Sequence, residues 1–285
     1  MEENYKIFGW RGINFEIPHN WGVGLINDTE KKGYLRFDDL KITRLELEWR
    51  KISNSFSLEK IIGRYIDILG KKAKKSGLKL EIKRNLKIAS LKEKTGEFFY
   101  WKADYQSYNL ICYCSKSSRL IFLRILAKLE ENLEDVSRRI FKTFHTCSTD
   151  KNLWSVYDLQ CKVPVDFKLF DYSFKTGDVE LSFKRKNDFL SIKCISLANV
   201  LLRNKNLKSL FQELCKNYLK GFKCEIFEKE KEVRMEGRKR IFFKTLNNEI
   251  ILSHYPDRNK IFILRFLSEE KKSKILEEIL NEINP

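Results

Sequence analysis

Three histidines, His19, His145 and His254, are the only imidazoles in a chain of 285 residues. A general base of the usual kind must therefore be one of them, or a carboxylate held in a cleft. His19 follows Pro18 in a turn, His145 closes a helical stretch where a cationic ring suits the dipole, and His254 falls in a strand pattern. None has a nucleophile motif beside it, so a structural role is expected for each. Seven cysteines, an odd number, do not read as a disulfide framework, and free thiols are the default. Cys112 and Cys114, two apart in a strand, point to one face. A C-x-C pair can chelate metal, yet no second C-x-x-C or H-x-H cluster completes a tetrahedral shell, so no metal is expected. Gly22-Val23-Gly24 lacks the third glycine, the Lys-Ser/Thr ending and the following helix of a phosphate loop. Asp38-Asp39 and Glu130-Glu131 are adjacent carboxylates rather than converging ones, and Asp38-Asp39 reads as turn polarity. The linear sequence thus nominates no catalytic residue and no cofactor, and the chain reads as a non-enzyme unless folding alone assembles a site.

The elements that would position such residues are written twice. Arg119 to Leu126 (RLIFLRIL) matches Lys260 to Leu267 (KIFILRFL), and without a gap the match extends back from Leu110 to Cys114 onto Ile251 to Tyr255. Turn residues Ser117-Ser118 and Arg258-Asn259 separate the two apolar runs, which makes each copy a hairpin. Upstream, Leu58, Ile61, Ile62, Tyr65, Ile66 and Leu69 keep the spacing of an amphipathic helix. Leu207, Leu210, Phe211, Leu214, Cys215 and Tyr218 repeat it, with Ser57 and Asn206 as N-caps. Ile13 to Pro18 and Leu159 to Pro164 alternate and stop at a proline, which cannot donate to a ladder. The closing helices carry Val136, Ile140 and Phe144 in one copy and Ile275, Ile279 and Ile283 in the other. Cys161, Cys194 and Cys215 fall where the first copy has Phe15, Trp49 and Ile66, so all three are expected in the core. Each copy reads as βββαββββα: an α+β, mainly antiparallel α/β sandwich with one helix on each face. The domains are expected at 1–148 and 149–285, as an internal repeat, divided by the polar stretch Thr146 to Asn152.

Two stretches carry a family likeness. Gly12-Ile13-Asn14-Phe15-Glu16-Ile17-Pro18-His19-Asn20-Trp21 and Gly96-Glu97-Phe98-Phe99-Tyr100-Trp101 resemble the strand-Pro-x-x-Trp opening and the glycine-then-aromatic strand of the PsbP-like superfamily, which includes the Mog-type Ran-binding proteins. The second copy has Phe167 where the first has Trp21. The resemblance implies a tandem α/β/α binding module without chemistry of its own, and it transfers no catalytic residue.

Composition and charge carry the rest of the functional reading. With 42% hydrophobic and 13% aromatic residues the chain can build a core despite a net charge of +17. A disordered basic tail is excluded, and 12 Gly with 4 Pro exclude collagen-like repeats. Apolar runs break at charge within about eight residues, too short for a membrane span. The start lacks a signal-peptide pattern, so a cytoplasmic protein is expected, and the high Lys and Glu usage is thermophile-like. Between residues 71 and 94 stand Lys71, Lys72, Lys74, Lys75, Lys79, Lys83, Arg84, Lys87, Lys92 and Lys94 against Glu81 and Glu93. The second copy concentrates Lys184, Arg185, Lys186, Lys193, Arg203 and Lys205 against Asp188. A ridge of this kind tracks phosphates, and Tyr100, Trp101, Tyr105 and Tyr108 would offer stacking faces. The expectation is an RNA or ribonucleoprotein contact through Lys71, Lys72, Lys74, Lys75, Lys79, Lys83, Arg84 and Lys87, joined by Lys184, Arg185 and Lys186. The alternative is a protein-interaction adaptor holding an acidic or apolar segment in a groove between the domains. No membrane contact is expected, and the sequence does not set the oligomeric state.

Overall fold

The computed structural model describes residues 4–52, 56–91, 94–269 and 274–283. Lys92 and Glu93 of the basic stretch lie outside them. The contacts form two compact units, Met1–Cys147 and Ser148–Pro285.

Unit 1 runs β1 (Tyr5–Trp10), β2 (Ile13–Pro18), β3 (Gly22–Asp28), β4 (Lys32–Asp38), β5 (Thr43–Lys51), α1 (Leu58–Lys75), β6 (Glu81–Lys83), β7 (Lys94–Lys102), β8 (Gln106–Cys114), β9 (Arg119–Ala127) and α2 (Glu134–Thr143). Strands β3 to β9 make one antiparallel sheet in the order β3-β4-β5-β9-β8-β7-β6. Alternation along β7 sends Phe99 to one face, beneath Leu58, Ile61, Ile62 and Tyr65 of α1. Phe98 goes to the other, where its ring lies 5.1 Å from that of Phe141 in α2. The hairpin of β1 and β2 shares that second face, with Phe8 and Phe15 packed edge-on against Phe37 of β4. Gly96 in the likeness stretch is required by its neighbour: a Cβ there would stand 2.5 Å from the Ile111 carbonyl oxygen.

Unit 2 follows the same plan: β10 (Lys151–Val156), β11 (Leu159–Pro164), β12 (Lys168–Lys175), β13 (Asp178–Arg185), β14 (Asp188–Ser196), a single turn α3 (Ala198–Leu201), α4 (Leu207–Leu219), β15 (Lys223–Lys229), β16 (Glu232–Ile241), β17 (Lys244–Tyr255), β18 (Lys260–Ser268) and α5 (Ile275–Glu282). Its sheet has the order β12-β13-β14-β18-β17-β16-β15. Leu207, Leu210, Phe211 and Cys215 of α4 close over Val233, Met235, Ile250 and Ile263.

The antiparallel sheets, the flanking helices and both N-caps follow the sequence pattern. Ser57 accepts from the Lys60 amide at 3.3 Å, and Asn206 from the Ser209 amide at 2.8 Å. Among the described residues five strands precede the first helix of each unit rather than three. The opening hairpin strand β1 and the edge strand β3 do not alternate cleanly: β3 is GVGLIND, exposed along most of its length, and an edge strand has little buried face to imprint on its sequence. The arginine repeated in both hairpins braces sheet against helix. Arg124 pairs with Glu46 at 2.8 Å and reaches the Tyr65 hydroxyl at 3.4 Å, whereas Arg265 donates to Asn248 Oδ1 at 3.1 Å and lies over the Tyr218 ring at 4.5 Å.

Candidate functional site

The basic stretch of unit 1 is built from the end of α1 onward. Its last turn carries Lys72, Lys74 and Lys75, cations placed where the helix dipole is negative. The turn closes with the Leu78 amide donating to the Ala73 carbonyl at 2.9 Å while Gly77 takes φ +68, the left-handed exit that glycine allows. The chain then enters β6, the edge of the sheet, where lysines keep an open strand from pairing with other chains. Lys71, Lys72, Lys74, Lys75, Lys79, Lys83, Arg84 and Lys87 are all exposed. Their commitments differ. Arg84 makes a two-pronged contact with Glu97, Nε at 2.8 Å and Nη2 at 2.7 Å, which holds the Glu97 carboxyl below its usual range. Lys79 lies 3.8 Å from Glu81. Lys71, Lys72, Lys74, Lys75, Lys83 and Lys87 form no ion pair among the described residues.

Lys83 and Lys87 rim a cleft of about 530 Å³ whose walls include Leu86, Ile88, Tyr100 and Leu129. Both walls are fixed by polar contacts. On one side Glu97 accepts from Arg84 and from the Asn85 amide, and the Leu86 amide donates to the Phe98 carbonyl at 2.9 Å. On the other, buried Arg44 is clamped between Asp39 at 2.6 Å and Glu131 at 2.6 Å and 2.8 Å. The Arg44 guanidinium brings the Glu131 carboxyl down to about 2. Gln106 ties this wall to the sheet, donating to the Lys128 carbonyl at 2.7 Å and accepting from the Tyr100 hydroxyl at 2.9 Å. The cleft thus offers apolar walls, the Tyr100 and Tyr108 phenols and the Lys83 and Lys87 ammonium groups, beside two carboxylates already held by arginines, Glu131 by Arg44 at 2.6 Å and Glu134 by Arg138 at 2.9 Å.

Of the aromatic residues expected to stack on bases, Tyr100 and Tyr108 line the cleft. Tyr100 and Tyr108 lie 5.1 Å apart ring to ring, and Trp101 packs with the α1 cluster. Tyr105, 41% exposed, alone of the four is an exposed ring. In unit 2 Arg185 is bound to Asp188 at 2.9 Å and Asp166 at 3.2 Å and sits over the Phe167 ring at 4.3 Å. Lys184 lies over the Phe170 ring at 3.4 Å, and Lys186 occupies the β13–β14 turn at φ 50. These contacts stiffen that end of the unit.

The remaining candidates are structural in place. The His145 backbone exchanges two hydrogen bonds with Asn14, at 2.8 Å and 3.0 Å, and the His19 amide donates to the Asn4 carbonyl at 2.7 Å. Burial, with Lys231 nearby, pushes the His254 imidazole below its ordinary value. No disulfide joins any of the seven cysteines, and Cys112, Cys161, Cys194 and Cys215 are buried thiols pushed up by desolvation. Among the described residues no three His, Cys, Asp or Glu side chains are grouped to hold a metal, and no helix is long and apolar enough to cross a membrane. Sequence reasoning missed the cleft wall from Lys128 to Asn132, because it is built by Arg44 from 87 residues away. It also missed Ile241-Phe242-Phe243, an apolar run between cations that is exposed.

No known family profile and no curated protein matches the chain. Among solved structures it is similar to the Saccharomyces cerevisiae Ran-binding protein Mog1p, at 9% identity over 48% of this chain and 96% of that one, TM-score 0.35. It is also similar to the type VI secretion immunity protein TplEi of Pseudomonas aeruginosa in complex with the "L" peptide, at 10% identity, covering 98% of this chain and 96% of that one, TM-score 0.31. The Tle4–Tli4 complex matches at 9% identity over 100% of this chain and 98% of that one, TM-score 0.32. At these identities and scores the likenesses assign no function.

Proposed function

We propose that the chain is a non-catalytic binding protein whose partner is a protein, held through an acidic and apolar segment in the cleft of unit 1. The observation that carries this reading is the composition of the fixed cleft. Leu86, Ile88 and Leu129 face the same space as Lys83 and Lys87, and the lining carboxylates Glu131 and Glu134 are already taken up by Arg44 and Arg138, so apolar side chains and carboxylates of a partner are accommodated together. A cleft whose walls are already braced by Arg44, Glu131 and Arg84 loses little freedom on binding. The PsbP-like and Mog-type resemblance of residues 12–21 and 96–101 implies a binding module of this kind.

The RNA reading keeps one specific support, the four unpaired lysines at the end of α1. Those cations also answer to the helix dipole and the sheet edge, and of the four stacking rings it needs Tyr105 alone is exposed while Tyr100, Trp101 and Tyr108 are half-buried. Affinity capture from extract of the source cells, with and without nuclease treatment, discriminates the two readings. The protein reading predicts a partner that survives nuclease and is lost with Lys83→Glu/Lys87→Glu. Retention of RNA that disappears with Lys72→Glu/Lys75→Glu, with no nuclease-resistant partner, overturns it.

A further inference from the structure

The hairpin of β16 and β17 in unit 2 ends in a feature that the cleft reading does not use. Strands β16 and β17 run ten and twelve residues, against nine each for β7 and β8 in the corresponding hairpin of unit 1. The surplus lies at the turn. Ile241 pairs with Lys244, and the two-residue connection between them is Phe242-Phe243, 90% and 99% exposed. Arg238, Lys239 and Arg240 precede it and are exposed, without an ion pair among the described residues. From Gly237 to Asn248 there is no acid, and Lys244 alone is neutralised, by Glu269 at 2.9 Å. Phe242 sits at φ 52, the left-handed backbone that Arg11, Tyr157 and Lys186 also adopt at the first position of two-residue hairpin turns.

We propose that this tip is an interfacial anchor for an anionic lipid surface, independent of the cleft in unit 1. Ile241, Phe242 and Phe243 enter the boundary between headgroups and acyl chains, while Arg238, Lys239 and Arg240 meet the lipid phosphates. A fluid plane suits the tip better than a protein pocket. The rings have no polar handle of the kind that tyrosine, tryptophan or arginine brings to a protein hot spot, and the flanking charge is of one sign.

Co-flotation of the intact chain with phosphatidylcholine vesicles, with and without a minority of phosphatidylserine, tests the proposal. Binding is expected only with phosphatidylserine. Phe242→Ser/Phe243→Ser, which leaves the charge unchanged and alters only exposed rings, should weaken it by at least about tenfold, since each ring withdrawn from water contributes on that order. Phe243→Trp should shift its emission to the blue on those vesicles, against the five native tryptophans, and be quenched by brominated acyl chains. Lys83→Glu/Lys87→Glu, which breaks the cleft reading, should leave the blue shift in place. Absence of binding to phosphatidylserine vesicles at low salt overturns the proposal. So does binding that survives loss of both rings, which marks a diffuse charge effect of the +17 chain. Loss of a captured protein on removing the rings, with no vesicle binding, overturns it in favour of a protein pocket.

Discussion

Cys114 of β8 and Cys147 stand with their sulfurs 3.8 Å apart. Burial raises the Cys114 thiol, and hydrogen bonds from Ser117, Thr146 and Cys147 outweigh it, so the thiol lies below its ordinary value. A disulfide requires the two sulfurs to approach to about 2.05 Å. Treatment with diamide, which takes up two electrons and two protons as the S–S bond forms, should lower the free-thiol titre by two per chain. Cys147→Ser should abolish the change, and an unaltered titre in the wild type would count against the pairing. The sequence made Cys161, Cys194 and Cys215 readable as core because each falls in an apolar period. The Cys114–Cys147 pair was invisible because the two sit 33 residues apart and one lies outside any periodic element. A second residue with consequences is Glu131. Arg44 depresses its carboxyl from 4.5 to about 2 in the folded state, so its contribution is fully present above about pH 4.5 and is lost as pH falls toward 2. Glu131→Gln should cost about 1–2 kcal/mol at neutral pH, allowing for partial solvent screening. The difference from wild type in denaturant melts should shrink steadily below pH 4.5, and a gap that persists at pH 2 would contradict the assignment.

At the scale of elements, the hairpin tip of β16 and β17 and helix α1 show what a sequence does and does not disclose. Helix α1 was legible because its stripe and its cap Ser57 agree, and α4 repeated both. Strand β3 and the tip were not, for opposite reasons. The first is too exposed to alternate, and the second is apolar without being buried. Left-handed backbone at Phe242 leads to a stability prediction. Phe242→Gly removes the clash of Cβ with its own carbonyl and should raise stability by about 1 kcal/mol, seen as a higher midpoint in urea. The same variant should bind phosphatidylserine vesicles more weakly. A variant that loses stability would show that the ring packs rather than projects.

At the scale of the whole molecule, the net charge of +17 is distributed by local rules. Part of it terminates α1, part protects the edge strand β6, part is spent on Glu97, Asp166 and Asp188, and a remainder is left free at two places of different character. In unit 1 the free lysines adjoin apolar walls, and in unit 2 the free cations adjoin exposed phenylalanines. Both places need folding to be seen, since the first depends on Arg44 joining distant segments and the second on where a turn falls. The account rests most heavily on the cleft. Its most direct test is a photo-crosslinking residue placed at Leu129, 42% exposed on the cleft wall, in the full chain expressed in its source cells. The account predicts one protein adduct that resists ribonuclease and disappears when Lys83 and Lys87 are replaced by glutamate. An adduct that ribonuclease removes, or no adduct in either form, would contradict it.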